Sequence, residues 1–199
     1  MDRGVTVASS VIYRFQLRPG DHIYSWRKRA GYLYAHHGIY ESDQKVIQYC
    51  SAVEDGPLFA SSSPTRPCRE CAEAERKGGV VISCLDCFLE GGNLCLFAYS
   101  VPLWFYTASN IGHQLTCHTA REDPPEEVLR RANDLSGAYS AGFVSSKYNA
   151  LTNNCVDFAF YCKTGCRFAT YAVGQVVSEV GPVVAQGASV LVHSGCVCM

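Results

Sequence analysis

Excess charge of either sign is missing from this sequence of 199 residues, in which 17 Lys and Arg are balanced by 18 Asp and Glu. Nucleic-acid-binding domains need clustered Lys and Arg. This chain has only one short basic run, residues 26–29. We interpret that run as a solvated loop or turn, with a phosphate or headgroup contact as the alternative. The sequence therefore predicts no nucleic-acid partner.

A secretory signal is also missing, because the first seven residues do not form the apolar core of about 7–15 residues that such a signal needs. The chain nevertheless has 12 cysteines. That number fits either disulfides in a secreted protein or thiols and metal ligands in a reducing compartment. Without a signal the second interpretation is favoured, and we expect a cytoplasmic protein whose thiols are mostly reduced or bound to metal.

Hydrophobic residues make up 48% of the chain and charged residues 18%, which favours one packed domain over disorder. Residues 12–50 alternate short apolar runs with turn residues and predict strands. Within them, residues 38–40 and 46–48 read as a β-hairpin. Residues 96–122, which include the aromatic run at 103–106, look strand-like. Helices are predicted from about residue 124, from about residue 154, and over about 170–180.

Cys155 lies at the first turn of the helix predicted near residue 154, where Asn153 or Asn154 can act as the N-terminal cap. Unpaired backbone N–H groups and the positive end of the helix dipole favour a thiolate at this position. Taken alone, the segment is equally compatible with a reactive thiol and with a buried structural cysteine.

Two adjacent histidines, His36 and His37, lie on a predicted strand and therefore point to opposite faces of the sheet. One of them can face a cysteine, and a thiol nucleophile needs a base of this kind. A histidine on a strand can also be a satisfied core or surface residue. Gln48 lies on the next strand, where its oxygen can accept a hydrogen bond from the ring nitrogen that does not face sulfur.

Four cysteines form two C-x2-C pairs separated by 12 residues, namely Cys68, Cys71, Cys84 and Cys87. Four thiolates at this spacing suit tetrahedral zinc, and no coordination position is left open for chemistry. The sequence therefore predicts a structural zinc knuckle that holds together an otherwise loop-like insert at residues 61–95. Unrelated thiols or disulfides are the alternative.

Two motifs together resemble the lecithin:retinol acyltransferase family, whose small members include Ras-suppressor-like phospholipid acyltransferases. The first is a histidine box, Pro19-Gly20-Asp21-His22-Ile23 followed by His36-His37-Gly38-Ile39-Tyr40. The second is a cysteine box, Asn153-Asn154-Cys155-Val156-Asp157-Phe158 followed by Tyr161-Cys162-Lys163-Thr164-Gly165. The resemblance covers roughly residues 12–50 and 96–166, and the plant branch of the family looks most similar.

The resemblance implies an α+β fold, with an antiparallel sheet packed against helices in the permuted NlpC/P60, papain-like arrangement. The family domain would cover residues 12–166 and contain the Cys-rich insert at 61–95. Residues 167–199 would then form a C-terminal helix and an apolar tail.

The resemblance also implies roles for single residues. The family's catalytic histidine precedes an aromatic residue and then Gly or Ala, Ile and Tyr, which makes it His36, and its nucleophile is Cys155. Its third polar residue is usually a histidine and falls here on Gln48, which can orient His36 but shares charge less well. The residues after the nucleophile are commonly Glu-His, whereas this chain has Val156-Asp157.

The chemistry that the resemblance implies is a two-step acyl transfer from a phospholipid or similar acyl-donor lipid. Cys155 would form an acyl-thioester while His36 moves the protons. Water as the acceptor gives a phospholipase A outcome, and an amine or alcohol gives an acyltransferase outcome. The alternatives are a non-catalytic binding or scaffold module of the same fold and a papain-like peptidase or amidase. The intact His36 and Cys155 favour an enzyme, and the apolar and aromatic stretches favour a lipid substrate.

The C-terminal residues 180–199 carry no charged side chain but are only weakly apolar. A membrane-spanning helix needs about 20 predominantly apolar residues, so we expect at most a peripheral membrane contact through this tail. The last four residues match the C-a-a-X motif, which leaves prenylation of Cys196 as an open alternative.

Overall fold

The computed structural model describes residues 10–29, 32–52, 68–109, 115–137, 148–149 and 153–168. A short 3-10 helix, Arg14–Gln16, comes first. The strands are β1 (His22–Arg29), β2 (Tyr32–Ser42), β3 (Lys45–Cys50), β4 (Gly79–Ser83) and β5 (Cys95–Leu96). The helices are α1 (Arg69–Lys77), α2 (Leu85–Leu89), α3 (Leu103–Ser109), α4 (Pro125–Ser136) and α5 (Cys155–Thr164).

The five strands form one sheet in the order β4-β3-β2-β1-β5, and each neighbouring pair is antiparallel. The predicted hairpin is confirmed, since Gly38 lies opposite Gln48 and Tyr40 opposite Val46. The α+β class with an antiparallel sheet is therefore confirmed.

The sheet is covered on both faces because its central strands carry apolar side chains at successive positions, which alternate between the faces. On one face Ile39 packs against Phe158 of α5 and Val128 of α4. On the other face Val46 packs against Phe88 of α2. The two faces are named here after the helices that cover them, the α5 face and the α2 face.

The helices predicted near residues 124 and 154 are confirmed as α4 and α5. Pro125 opens α4, where its missing N–H costs nothing. Asn154 caps α5, and Gly165 ends that helix in the left-handed region at φ +70°.

The expectation of a strand at residues 103–106 is wrong, because these residues lie in helix α3. The carbonyl of Pro102 accepts hydrogen bonds from the amides of Phe105 and Tyr106 and so starts the helix. Trp104 is 65% exposed. Aromatic residues favour strands where a half-buried pleated surface receives them, and among the described residues no strand pairs with this segment.

The expectation that residues 26–29 form a solvated loop or turn is also wrong, because they complete β1. Arg27 is 6% exposed, and its guanidinium pairs with Glu90 and donates to the carbonyl of Phe88. These partners at the end of α2 satisfy the charge, which allows the arginine to be buried.

The C-terminal predictions, namely the helix over 170–180, the apolar tail and Cys196, lie outside the described residues. Within the described ranges, no helix combines the length and apolar content needed to cross a membrane.

Gly78→Ala is expected to destabilise the protein by about 3 kcal/mol through backbone strain and steric overlap. Gly78 ends α1 at φ +70°, and an added Cβ would lie 2.4 Å from the backbone nitrogen of Ala52. Gly91 is the matched control, because its φ of +78° carries the strain while no atom lies within 4 Å of an added Cβ. Gly91→Ala should cost only about 1 kcal/mol. Urea denaturation followed by circular dichroism measures both, and equal losses would contradict the steric argument.

Candidate active site

Cys155 is the first residue of α5, and the side chain before it fixes where the helix begins. Asn154 Oδ1 accepts hydrogen bonds from the amides of Val156 at 2.9 Å and Asp157 at 3.2 Å. The Asp157 carboxylate in turn accepts from the amide of Asn154 at 3.0 Å. This reciprocal cap places Cys155 at the helix start. Of the two asparagines proposed as the cap, Asn154 is the one that serves.

The sulfur of Cys155 lies against β2 on either side of His36. Cys155 Sγ is 3.9 Å from the carbonyl oxygen of Ala35 and accepts a hydrogen bond from the backbone N–H of His37. The cysteine of α5 therefore contacts the backbone of β2 on either side of His36, while the His36 ring lies beside Phe88 of α2.

His36 and Gln48 are joined by a buried hydrogen bond of 2.6 Å between His36 Nε2 and Gln48 Oε1. The Gln48 side chain is fully buried, and its Nε2 donates to Glu75 Oε1 and to Ser83 Oγ, each at 2.9 Å. Since Oε1 can only accept, His36 Nε2 carries the proton, and in the neutral imidazole Nδ1 is then the acceptor nitrogen. The Gln48 oxygen therefore accepts a hydrogen bond from a ring nitrogen of His36.

His37 points to the α5 face, and His36, the next residue along the strand, points to the α2 face, where its ring lies 5.5 Å from that of Phe88. Its Nδ1 lies 2.9 Å from His22 Nε2, and His22 Nδ1 lies 2.9 Å from the hydroxyl of Tyr99. Burial lowers the pKa of His37 to about 3. A group that holds a proton so weakly is a poor general base near neutral pH.

Burial raises the pKa of the Cys155 thiol. The His37 amide, the Tyr148 hydroxyl and the charge of Arg27 oppose this shift without cancelling it. The expectation of a resting thiolate at the helix start is therefore wrong. The physical reason is that two backbone N–H groups of the first turn already donate to the Asn154 side chain and so are not available to a thiolate. The cost of burying a charged sulfur then exceeds the stabilisation by the groups that remain.

Several residues around the site were not found from the sequence. Cys50 Sγ lies 4.0 Å from His36 Nε2, and Tyr148 hydrogen-bonds to Cys155. Glu75 and Ser83 hold the amide of Gln48. For Glu75 and Ser83, the only signal in the sequence is that both residues lie between the two C-x2-C pairs.

The sulfur atoms of Cys68, Cys71, Cys84 and Cys87 all lie within 4.8 Å of one another, a cluster that can hold a metal ion. Cys68 and Cys84 precede the first residues of α1 and α2, so the starts of two helices converge on the cluster. The segment between the pairs is not loop-like as expected. It forms α1 and then β4, which joins the main sheet beside β3.

Comparisons with known proteins identify the family of the chain. The sequence profile of the family described as Lecithin retinol acyltransferase matches residues 15–168. The chain is 40% identical over 187 residues to Protein LEAD-SENSITIVE 1 of Arabidopsis thaliana, covering 87% of this chain and 69% of that protein. No solved structure is similar enough to the chain to count as a match.

The buried His37 is expected to make the protein less stable in mild acid. Its pKa is about 3 in the folded protein and about 6.5 in an unfolded chain. Between these values the unfolded chain binds a proton that the folded protein does not, so the free energy of unfolding falls as the pH falls below about 6.5. At pH 5 this histidine should cost about 2 kcal/mol.

Urea denaturation at pH 7, 6 and 5 measures the effect, and His37→Phe is the control. The variant should lose about 2 kcal/mol less than the wild type between pH 7 and pH 5. An identical pH dependence of the two proteins would contradict the assignment.

Proposed function

Since the chain belongs to the lecithin retinol acyltransferase family, we propose that it is an enzyme that transfers an acyl group through a thioester on Cys155. Family membership supports acyltransferase-type chemistry in general. The observation that carries the specific proposal is the hydrogen bond from His36 Nε2 to Gln48 Oε1, combined with the sulfur of Cys155 against the peptide groups that flank His36.

In the proposed first step, Cys155 attacks the ester carbonyl of the acyl donor and gives its proton to His36 Nδ1. The raised pKa of the thiol means that this proton leaves as the carbon–sulfur bond forms, which makes His36 a general base. His37 is less suited to the role, because its Nδ1 already contacts His22 and its pKa is about 3.

The tetrahedral intermediate needs a hydrogen-bond donor for its oxyanion. The amides of Val156 and Asp157 are engaged by Asn154. Within the described part of the chain, the backbone N–H of Cys155 donates to no acceptor. We assign the oxyanion contact to that N–H.

Collapse of the intermediate breaks the ester bond, and the His36 imidazolium protonates the leaving alcohol. The acyl group then stays on Cys155 as a thioester. In the second step His36 removes a proton from water or from an amine or alcohol, which attacks the thioester and regenerates the thiol. Hydrolysis and transfer therefore use the same two residues.

A phospholipid or similar lipid is the proposed donor. Several large apolar side chains of the described residues are exposed, among them Phe15 at 85% and Trp104 at 65%. Exposed aromatic groups of this kind suit contact with a lipid surface better than with a peptide backbone. The peripheral membrane contact expected from the C-terminal tail and the permuted NlpC/P60-like arrangement belong to the same proposal.

Incubation with a short-chain phospholipid is expected to add the mass of one acyl group to the protein, as measured by intact-mass spectrometry. The adduct should be absent from Cys155→Ala. Cys50→Ala is the matched control, because it removes another buried thiol beside His36 and should leave the adduct in place.

The alternatives give different outcomes in the same experiment. A scaffold module would show no adduct with any donor and a Cys155 that resists mild alkylation. A peptidase or amidase would acylate Cys155 from amide substrates but not from lipid esters. Either result would refute the proposed lipid acyl transfer.

For the four-cysteine cluster we propose zinc with a structural role. Zinc–sulfur bonds of about 2.3 Å in a tetrahedron put sulfur atoms about 3.8 Å apart. Cys68 Sγ and Cys84 Sγ are 3.7 Å apart, so the spacing fits. Four thiolates would fill the coordination sphere, and the ion would cross-link the starts of α1 and α2 without taking part in acyl transfer.

Metal analysis of the purified protein is expected to give about one zinc per chain. Cys84→Ser should lower both the zinc content and the free energy of unfolding. Cys95→Ser is the control, because Cys95 is buried outside the cluster and should leave the zinc content unchanged. A folded wild-type protein without metal would refute this proposal.

A further inference from the structure

The amide of Gln48 can occupy its site in two orientations that have almost the same shape but opposite hydrogen bonding. In the observed orientation its oxygen accepts from His36 Nε2. A rotation of 180° would present the NH2 group to that nitrogen instead. The proton of His36 would then move to Nδ1, and no electron pair would remain there to accept the proton of Cys155.

The two partners on the other side of the amide differ in their power to select an orientation. The hydroxyl of Ser83 either donates or accepts a hydrogen bond, so it fits both orientations. The carboxylate of Glu75 only accepts, so it fits only the orientation that turns the NH2 group toward it. Glu75 is therefore the neighbour that distinguishes the oxygen of Gln48 from its nitrogen.

The position of Glu75 suits this role. Its side chain is 1% exposed, and its Oε1 lies 2.9 Å from Gln48 Nε2. At a buried position water cannot replace the carboxylate. If the Gln48 amide were reversed, its oxygen would face the Glu75 carboxylate oxygen, and two acceptors would meet without a proton between them.

We propose that Glu75 is a positioning residue that fixes the amide of Gln48 and, through it, the tautomer of His36 in which Nδ1 is ready to accept a proton. This inference deepens the proposed function and rests on it, because it takes His36 as the base for Cys155. Glu75 itself touches neither the sulfur nor the substrate.

The proposal also gives the Cys-rich segment a part in the active site. Glu75 lies on α1, which begins after Cys68, and Ser83 is the last residue of β4, directly before Cys84. Both partners of the Gln48 amide nitrogen thus come from the chain between the two C-x2-C pairs. This segment delivers the acceptors that orient the catalytic histidine.

The test compares Glu75→Gln with the wild type by nitrogen NMR of protein labelled with 15N-histidine, with His36 assigned through a His36→Asn spectrum. The wild type should show His36 protonated at Nε2. Glu75→Gln keeps the shape and a hydrogen-bonding group but not the acceptor-only character, so His36 should become a mixture of tautomers. Alkylation of Cys155 at a fixed pH should slow by about two- to tenfold, the range that one net hydrogen bond is worth.

Two variants serve as controls. Glu73→Gln makes the same charge change on an exposed position of α1 and should leave both readouts unchanged. Ser83→Ala removes the partner that fits both orientations and should also leave the tautomer unchanged. Glu75→Met, which has similar length and cannot accept strongly, gives the same comparison if Glu75→Gln does not fold.

A purely structural role for Glu75 predicts that Glu75→Gln keeps the wild-type tautomer, and that result would overturn the inference. A tautomer change in Ser83→Ala as large as in Glu75→Gln would overturn it as well. Neither readout needs a substrate. Failure of the wild type to form an acyl adduct would sink the proposed function alone, while an unchanged tautomer in Glu75→Gln would sink this inference alone.

Discussion

The buried amide of Gln48 is the group on which the arrangement around the imidazole depends. A buried polar group left without partners costs about 1–3 kcal/mol, and Gln48 is fully buried. Its partners come from three elements, with His36 on β2, Glu75 on α1 and Ser83 on β4. These hydrogen bonds link the β2–β3 hairpin to the Cys-rich segment. If either part moved, the buried side-chain amide of Gln48 would lose a hydrogen-bond partner.

The Cys-rich segment supplies two of these hydrogen-bond partners although it has only a small hydrophobic core of its own. It consists of helices of nine and five residues joined by a five-residue edge strand. Isolated helices of this length are marginal in water. Two things stabilise them here, the pairing of β4 with β3 and the convergence of four cysteines where the helices begin. Apolar residues of α2, such as Phe88, then help to close the α2 face of the sheet.

Burial governs the chemistry of the site as well as its shape. Cys155 is 5% exposed, and the cost of charging it in a dry place leaves it protonated at rest. A protonated thiol is protected from adventitious oxidation and needs a well-aimed base. An imidazole held at Nε2 by a fixed amide has one defined acceptor nitrogen and adds no second charge. Compared with the histidine usual in the family, Gln48 therefore shares less of the positive charge of a protonated His36, but it fixes the orientation of the imidazole ring.

Much of the fold and of the site was predictable from local sequence. Alternating apolar residues and a short polar turn determine the hairpin, and Asn154 with Asp157 determines where α5 begins. The spacing of the C-x2-C pairs likewise predicts the cysteine cluster. These features are decided by residues near one another in the chain, where periodicity, capping and ligand spacing act directly.

Other features were decided only by the tertiary structure, because each depends on neighbours that are distant in sequence. Trp104 and the residues around it form a helix because no sheet surface receives them. Arg27 is buried because Glu90 meets it at the end of α2. From the sequence, Glu75 is an ordinary polar residue of a short helix, and only the packing of α1 brings its carboxylate into hydrogen-bonding distance of Gln48. The sequence by itself determined the hairpin, the start of α5 and the cysteine spacing, and it predicted which residues carry the chemistry. The packing of distant segments decided which of those residues are buried and which groups they hydrogen-bond, because burial and hydrogen bonding exist only between surfaces that the fold brings together.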